Sequence, residues 1–338
     1  MPRCHGHASR KQYGGMKTVL KLTLILVVFL SVGMQLKAGW PDEVKPVRIK
    51  SSRDGSSQPA LFFAPKTAGP VPLLVALHTW SSDWKNQYNV PLADGCVRRQ
   101  WAFIHPDFRG PNNKPSACGS DLAVNDIVDA VAWAQKNASI DPARIYLAGA
   151  SGGGHMALLM AGRNPEIWAG VSAWVPITDC VAWHMQCLKA ERRYASDLEK
   201  SCGGKPGESE EINGQYRMRS PVRWLKAAAK VPLDINAGIY DGHRGSVPIS
   251  HSLEAFNILA KKEDRISSEN IRRFTSIPSV PDSMLQSINH DSSYGEKRQP
   301  LWRATSNRAR ITIFNGGHEM IPEAIFSWLS SKRKNKNG

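Results

Sequence analysis

The sequence predicts an α/β protein: a mostly parallel central sheet with helices on both faces and loops inserted over one end. Three observations predict it. Short apolar runs of the kind buried on both faces occur at residues 73–77 and 145–148, and further strand-like stretches recur along the chain. Stretches with helical periodicity alternate with these runs, which is the pattern of strand–helix–strand units on a parallel sheet. Between them, Ile-Tyr-Leu-Ala-Gly-Ala-Ser-Gly-Gly-Gly-His-Met at 145–156 reads as strand, sharp turn and helix.

Residues 1–38 are expected to be a leader rather than part of the fold. Met16-Lys17 begins a basic region, residues 20–32 are apolar, and Leu36-Lys37-Ala38 ends on a small residue. This is the layout of a secretory signal, with Met16 as the true start and residues 1–15 an over-extended reading frame. The expectation is an exported protein, secreted or periplasmic, that meets a membrane only if the leader stays uncleaved. A single catalytic domain at 39–331 and a basic tail at 332–338 would follow.

The net charge of +15 falls to +9 without the leader, with 38 basic against 29 acidic residues. No basic run is interleaved with aromatic residues, so nucleic acid is not an expected partner. Cys96, Cys118, Cys180, Cys187 and Cys202 remain. Export permits disulfides, with Cys96–Cys118 and two of the last three as candidate pairs, but five thiols cannot all pair and the connectivity stays open. Their spacings are not those of a zinc site, and neither metal nor cofactor is expected.

Taken in order, residues 47–50 and 60–63 flank the turn Asp54-Gly55-Ser56-Ser57 and read as an antiparallel pair. The buried strand 73–77 ends in His78-Thr79-Trp80, and strand 102–104 leads into Pro106-Asp107-Phe108-Arg109-Gly110. Residues 120–137 carry an apolar stripe through Leu122, Ile127, Val131 and Ala134, with Ser120 as N-cap. Strand 168–175 precedes an irregular, charged stretch at 180–229, read as an insertion above the sheet. The sheet resumes at 231–237, a helix spans 247–261, and residues 263–308 form a second long polar insertion. The strand at 309–314, the loop Asn315-Gly316-Gly317-His318-Glu319 and a helix at 321–329 close the chain.

Gly149-Ala150-Ser151-Gly152-Gly153 matches Gly-x-Ser-x-Gly, and its strand–turn–helix context makes it a nucleophile elbow, with Ser151 exposed on a strained turn. Serine is a weak nucleophile that needs a base, and the base needs an orienting acid. In an open α/β sheet these groups stand on loops at the carboxyl ends of strands. Asp241 follows the strand 233–239 and His318 follows the last strand, in the order acid then histidine. The competitors are His243, His251, His290 and His155 for the base, and Asp234 and Asp282 for the acid. The Gly152 N–H is one expected oxyanion donor, and the Thr79 or Trp80 N–H the second. His78 is expected to brace that loop. Trp84 and Trp183 are weak candidates for substrate platforms near the mouth, with packing beneath the insertion the competing role.

These residues resemble the catalytic domain of the prolyl-oligopeptidase-like serine hydrolases (peptidase S9), within the α/β-hydrolase fold, over roughly 73–329. Arg109-Gly110, Asp126, Asp141-Pro142-Ala143-Arg144-Ile145, the elbow, Arg219-Ser220-Pro221, Ala237-Gly238-Ile239-Tyr240-Asp241, Val247-Pro248-Ile249-Ser250 and Gly316-Gly317-His318 carry the resemblance. It implies the triad Ser151, Asp241 and His318. Four departures stand out. The chain leaves no room for the family's propeller. Leu77-His78-Thr79-Trp80 replaces its aromatic-Gly-Gly segment, the Asp241-to-Val247 loop is longer, and residues 263–308 swell the stretch between acid and base. The expected function is a secreted serine esterase forming an acyl-Ser151 intermediate on acylated carbohydrate or a similar ester, small or polymeric. A serine peptidase is the alternative, and a non-catalytic carbohydrate-binding protein on a hydrolase scaffold ranks below both.

Overall fold

A computed structural model describes residues 39–334. The expected leader and the end of the basic tail therefore lie outside the described residues. The strands are β1 (Lys45–Lys50), β2 (Ser57–Phe63), β3 (Val71–Leu77), β4 (Ala102–Pro106), β5 (Ile140–Ala150), β6 (Gly170–Trp174), β7 (Leu233–Gly238), β8 (Pro300–Ser306) and β9 (Ala309–Phe314). They form one sheet in the order β1-β2-β4-β3-β5-β6-β7-β9-β8. The six central strands, from β4 to β9 in that order, run parallel, with Leu73 opposite Ile145 and Ile235 opposite Ile311. The edge pairings β1–β2, β2–β4 and β8–β9 are antiparallel.

Alternation of side chains across the pleat divides the core into two layers. Leu73, Val75, Leu77, Ile145 and Leu147 point to one face. There they meet α2 (Asp121–Asn137), α3 (Gly152–Arg163) and α7 (Ser250–Leu259). Leu74, Ala76, Tyr146 and Ala148 point to the other, against α1 (Val90–Arg99) and α9 (Pro322–Ser330). Ser120 caps α2 by accepting from the Ala123 N–H at 3.1 Å. Arg109 fastens this layer to the edge: its guanidinium bonds Asp126 at 2.5 and 3.0 Å and Asp54 at 2.7 Å.

Three stretches differ from the sequence expectation. Residues 90–99 form the helix α1, which the sequence expectation lacks. The insertion from 180 is not irregular: it forms α4 (Cys180–Lys189), α5 (Tyr194–Cys202) and α6 (Glu210–Arg219). Cys180, Trp183 and Cys187, and again Ala195, Leu198 and Cys202, recur at helical spacing and share one small core with Trp80, Cys118, Ile177, Tyr216 and Val247. The outward faces of α5 and α6 are charged, and α4 exposes Val181, Met185 and Leu188 beside its buried stripe, so neither pattern gives a clean helical signal. Within 263–308, α8 (Ser268–Ser276) packs on α7, and β8 adds an edge strand. β8 carries Arg303 and Thr305 on an open edge, where one-sided burial leaves a weak strand signal.

All five described cysteines are free and buried. Cys96 packs with α9 beneath one sheet face, whereas Cys118 lies in the core of the α4–α6 insertion. The candidate Cys96–Cys118 pair is therefore not formed, because the two thiols belong to different layers.

Several buried histidines are held neutral, three of them by large shifts. Burial pushes His105 down to about 3, His251 to about 3 and His155 to about 4. Because these folded values lie below the ordinary histidine value of about 6.5, the unfolded chain takes up protons that the folded chain refuses. Stability is thus fully present above about pH 6.5 and is lost as pH falls toward 4, by up to about 1.4 kcal/mol per pH unit for each histidine. Urea titrations at pH 7, 6 and 5 should show the unfolding midpoint dropping progressively. A midpoint unchanged between pH 7 and 5 would show that the three sites admit protons in the folded state.

Candidate active site

The elbow is set by β5 running into α3. Ser151 sits between them at φ 57°, ψ −118°, a conformation rarely adopted by side-chain-bearing residues. The neighbouring glycines make the turn possible. A Cβ on Gly149 would lie 2.4 Å from the Gly153 carbonyl oxygen, and one on Gly153 would lie 2.4 Å from that of Leu77. The Ser151 N–H is bound by the Trp174 carbonyl at 2.9 Å, so β6 holds the turn from the side.

The same close packing places the candidate oxyanion amides. Gly152 opens α3, so its N–H is one of the helix's unpaired amino-terminal donors. A Cβ on Gly152 would stand 2.4 Å from the Trp80 backbone nitrogen, which brings the Trp80 amide beside that of Gly152. Between the two sequence candidates this contact favours Trp80 over Thr79, whose hydroxyl bonds Ser82 Oγ at 2.8 Å. His78 braces the loop as expected. Its ring stacks on Phe108 at 3.9 Å, with Nδ1 at 2.9 Å from the Thr79 carbonyl and Nε2 at 2.8 Å from that of Asp107.

Asp241 and His318 are brought together from loops beyond β7 and β9, with Nδ1 of His318 2.9 Å from Asp241 Oδ1. Asp241 is almost wholly buried, and burial raises its carboxyl above the ordinary value. His318 opposes that shift by hydrogen bonding, as do the Val247 and Gly242 amides. A buried carboxylate with one imidazole partner holds Nδ1 protonated and leaves the Nε2 lone pair free to accept a proton. The competing residues are committed elsewhere or exposed, His243 among the exposed ones. Asp234 is locked to Arg310 at 2.7 Å, and Asp282 is exposed in a short turn. His155 bonds the Arg219 carbonyl at 2.7 Å, His251 lies inside α7, and His290 is on the surface beside Glu296.

The α4–α6 insertion roofs this end of the sheet and is fastened by Arg219, whose guanidinium donates to the carbonyls of Ala117, Pro115 and Cys118 at 2.6, 2.9 and 3.0 Å. Trp183 is a correction to the sequence expectation. Its ring is 1% exposed, packed edge-on to Trp80 at 4.6 Å and stacked on Tyr194 at 5.2 Å, so it is roof structure and not an open platform. Trp84 is half-buried beneath Lys85, with its N–H bonded to Asp107 at 3.2 Å.

One residue at the site had no motif to reveal it. Ser246 Oγ lies 3.1 Å from His318 Nε2, and the lengthened Asp241-to-Val247 loop was its sole sequence signal. Among the described residues no group of three or more His, Cys, Asp or Glu side chains is placed to hold a metal ion. A cavity of about 660 Å³ lined by Pro232, Asp291, Arg308 and Arg310 opens at the amino ends of β7 and β9, opposite the end that carries Ser151 and His318.

Residues 120–270 match the prolyl oligopeptidase family. Among solved structures the chain is similar to the acylaminoacyl peptidase of Pyrococcus horikoshii, with 17% identity and a TM-score of 0.53, covering 64% of this chain and 34% of that one. It is also similar to a puromycin hydrolase (17%, TM-score 0.52, covering 64% and 33%) and to oligopeptidase B from Leishmania major (12%, TM-score 0.54, covering 85% and 35%). The chain spans about a third of the length of each, and at these identities the likeness establishes the fold. The parallel sheet and the elbow, with these likenesses, give the chain the α/β-hydrolase fold, and its residues 120–270 are similar to the prolyl oligopeptidase family of serine hydrolases.

Proposed function

We propose that Ser151 is the nucleophile, His318 the general base and Asp241 the acid that orients it, and that the chain cleaves short peptides or N-acylated aminoacyl amides. The observation that carries the mechanism is the Asp241–His318 pair at 2.9 Å, on loops at the same end of the sheet as a serine held at positive φ. His318 takes the Ser151 proton as the hydroxyl attacks the carbonyl carbon, and the Gly152 and Trp80 amides receive the oxyanion. The imidazolium then gives its proton to the leaving nitrogen, and a water activated by His318 releases the acyl group from Ser151.

The peptide reading is supported by the family match and by structural relatives named as peptidases, one of them in complex with a peptide chloromethyl ketone. The same machinery serves an ester, and a secreted esterase on acylated carbohydrate is the second reading. Two features favour it: the His78-Thr79-Trp80 loop supplies the oxyanion site from backbone amides, and the leader 16–38 would carry the chain out of the cytoplasm. The test compares the purified protein on an N-acyl tripeptide p-nitroanilide, a short p-nitrophenyl ester and an acetylated polysaccharide. Ser151-dependent release from the anilide is expected. Turnover of the esters with the anilide untouched would replace the peptidase with the esterase.

A further inference from the structure

We propose that Ser246 is a positioning residue that occupies the base in the resting enzyme, so that substrate must displace its hydroxyl before His318 can serve Ser151. The inference rests on the assignment of Ser151 and His318 made above. With Nδ1–H directed to Asp241, His318 Nε2 has a single lone pair, and at 3.1 Å the Ser246 hydroxyl donates to it. Among the described residues no hydrogen bond joins Ser151 Oγ to His318. One lone pair cannot take two in-line donors, so the two serines compete for it.

The loop is built to hold that position. Asp241 receives the Gly242 N–H at 3.0 Å, and the Val247 N–H also bonds it, so residues 241–247 curl around the carboxylate. Gly245 is pressed against the pair: a Cβ there would fall 2.1 Å from Asp241 Oδ1 and 2.7 Å from His318 Cβ. The next residue is therefore delivered directly to the imidazole. From above, Trp183 Nε1 donates to the Ser246 carbonyl at 3.1 Å, which ties the serine to the roof helix α4. A substrate that lifts α4 or threads beneath it would loosen this hold and free Nε2.

The experiment measures the second-order rate at which a fluorophosphonate labels Ser151, together with kcat and KM on the substrate found active. Ser246→Ala removes the competing donor while keeping the backbone carbonyl for Trp183. A neutral hydrogen bond of ordinary strength corresponds to an expected rise in labelling rate of about three- to tenfold. KM should fall by a similar factor with kcat within about twofold of native, because the contact is lost before chemistry in both proteins. Ser246→Thr, which restores a hydroxyl, should return the rate toward the native value, an outcome that loop loosening alone would not produce. Unchanged or slower labelling in Ser246→Ala, at a native unfolding midpoint, overturns the competition. Labelling that persists in the Ser151→Ala, Ser246→Ala double variant overturns the nucleophile assignment instead, and the competition with it.

Discussion

Ser151→Ala is expected to lower kcat on the order of 10⁶-fold, the size of loss seen when a triad nucleophile is removed, while the protein remains folded. The fold should tolerate it because the strain at this position is fixed by neighbours, not by the serine hydroxyl. The Gly149, Gly152 and Gly153 contacts, and the bond from residue 151's N–H to the Trp174 carbonyl, persist with alanine. Alanine carries the same Cβ as serine and meets the same positive φ. Residual rate above the uncatalysed reaction, roughly 10³-fold, would come from the oxyanion amides and substrate binding alone. The check is steady-state kinetics beside a urea titration of both proteins. A loss below about 100-fold at a native midpoint would mean that another hydroxyl, Ser246 first among them, performs the attack.

The second large effect is expected from Asp241→Asn. An amide fits the same buried space, but its NH₂ faces His318 Nδ1 and favours the tautomer with the proton on Nε2. The base then has no lone pair for Ser151, and kcat should fall by about 10⁴-fold. Stability is a separate readout. The buried carboxyl is raised by burial and loses its charge in the variant, so no uncompensated buried charge is created, and the folded state should persist. A variant that keeps more than a hundredth of native kcat would point to a different carboxylate as the acid. Asp234 and Asp282 are poor replacements, the first held by Arg310 and the second exposed in a turn.

Both effects depend on residues that the sequence already distinguished, and the reason is physical. A strand-to-helix turn this tight permits only glycine at 149 and 153, so the elbow writes itself into a short local pattern. The candidate acid and base follow β7 and β9, which are buried throughout or nearly so and are bounded by loop residues, which makes their ends easy to locate. The capped helix at 121–137 and the opening antiparallel pair were legible for the same local reasons. The roof was not, since the charged faces of α5 and α6 and the exposed apolar residues of α4 blur the stripes that pack on Trp80 and Val247.

By itself the sequence determined the fold class and the strand–turn–helix elbow, and it singled out the candidate serine, acid and histidine in that order, because each rests on residue type and local spacing. Tertiary structure alone decided which amide joins Gly152, where Trp183 goes, and what touches His318. Trp80 meets Gly152, and Ser246 meets His318, each across a separation of 72 residues. Such contacts depend on how loops from separate strands converge at one end of the sheet, and no local pattern in the chain encodes that convergence.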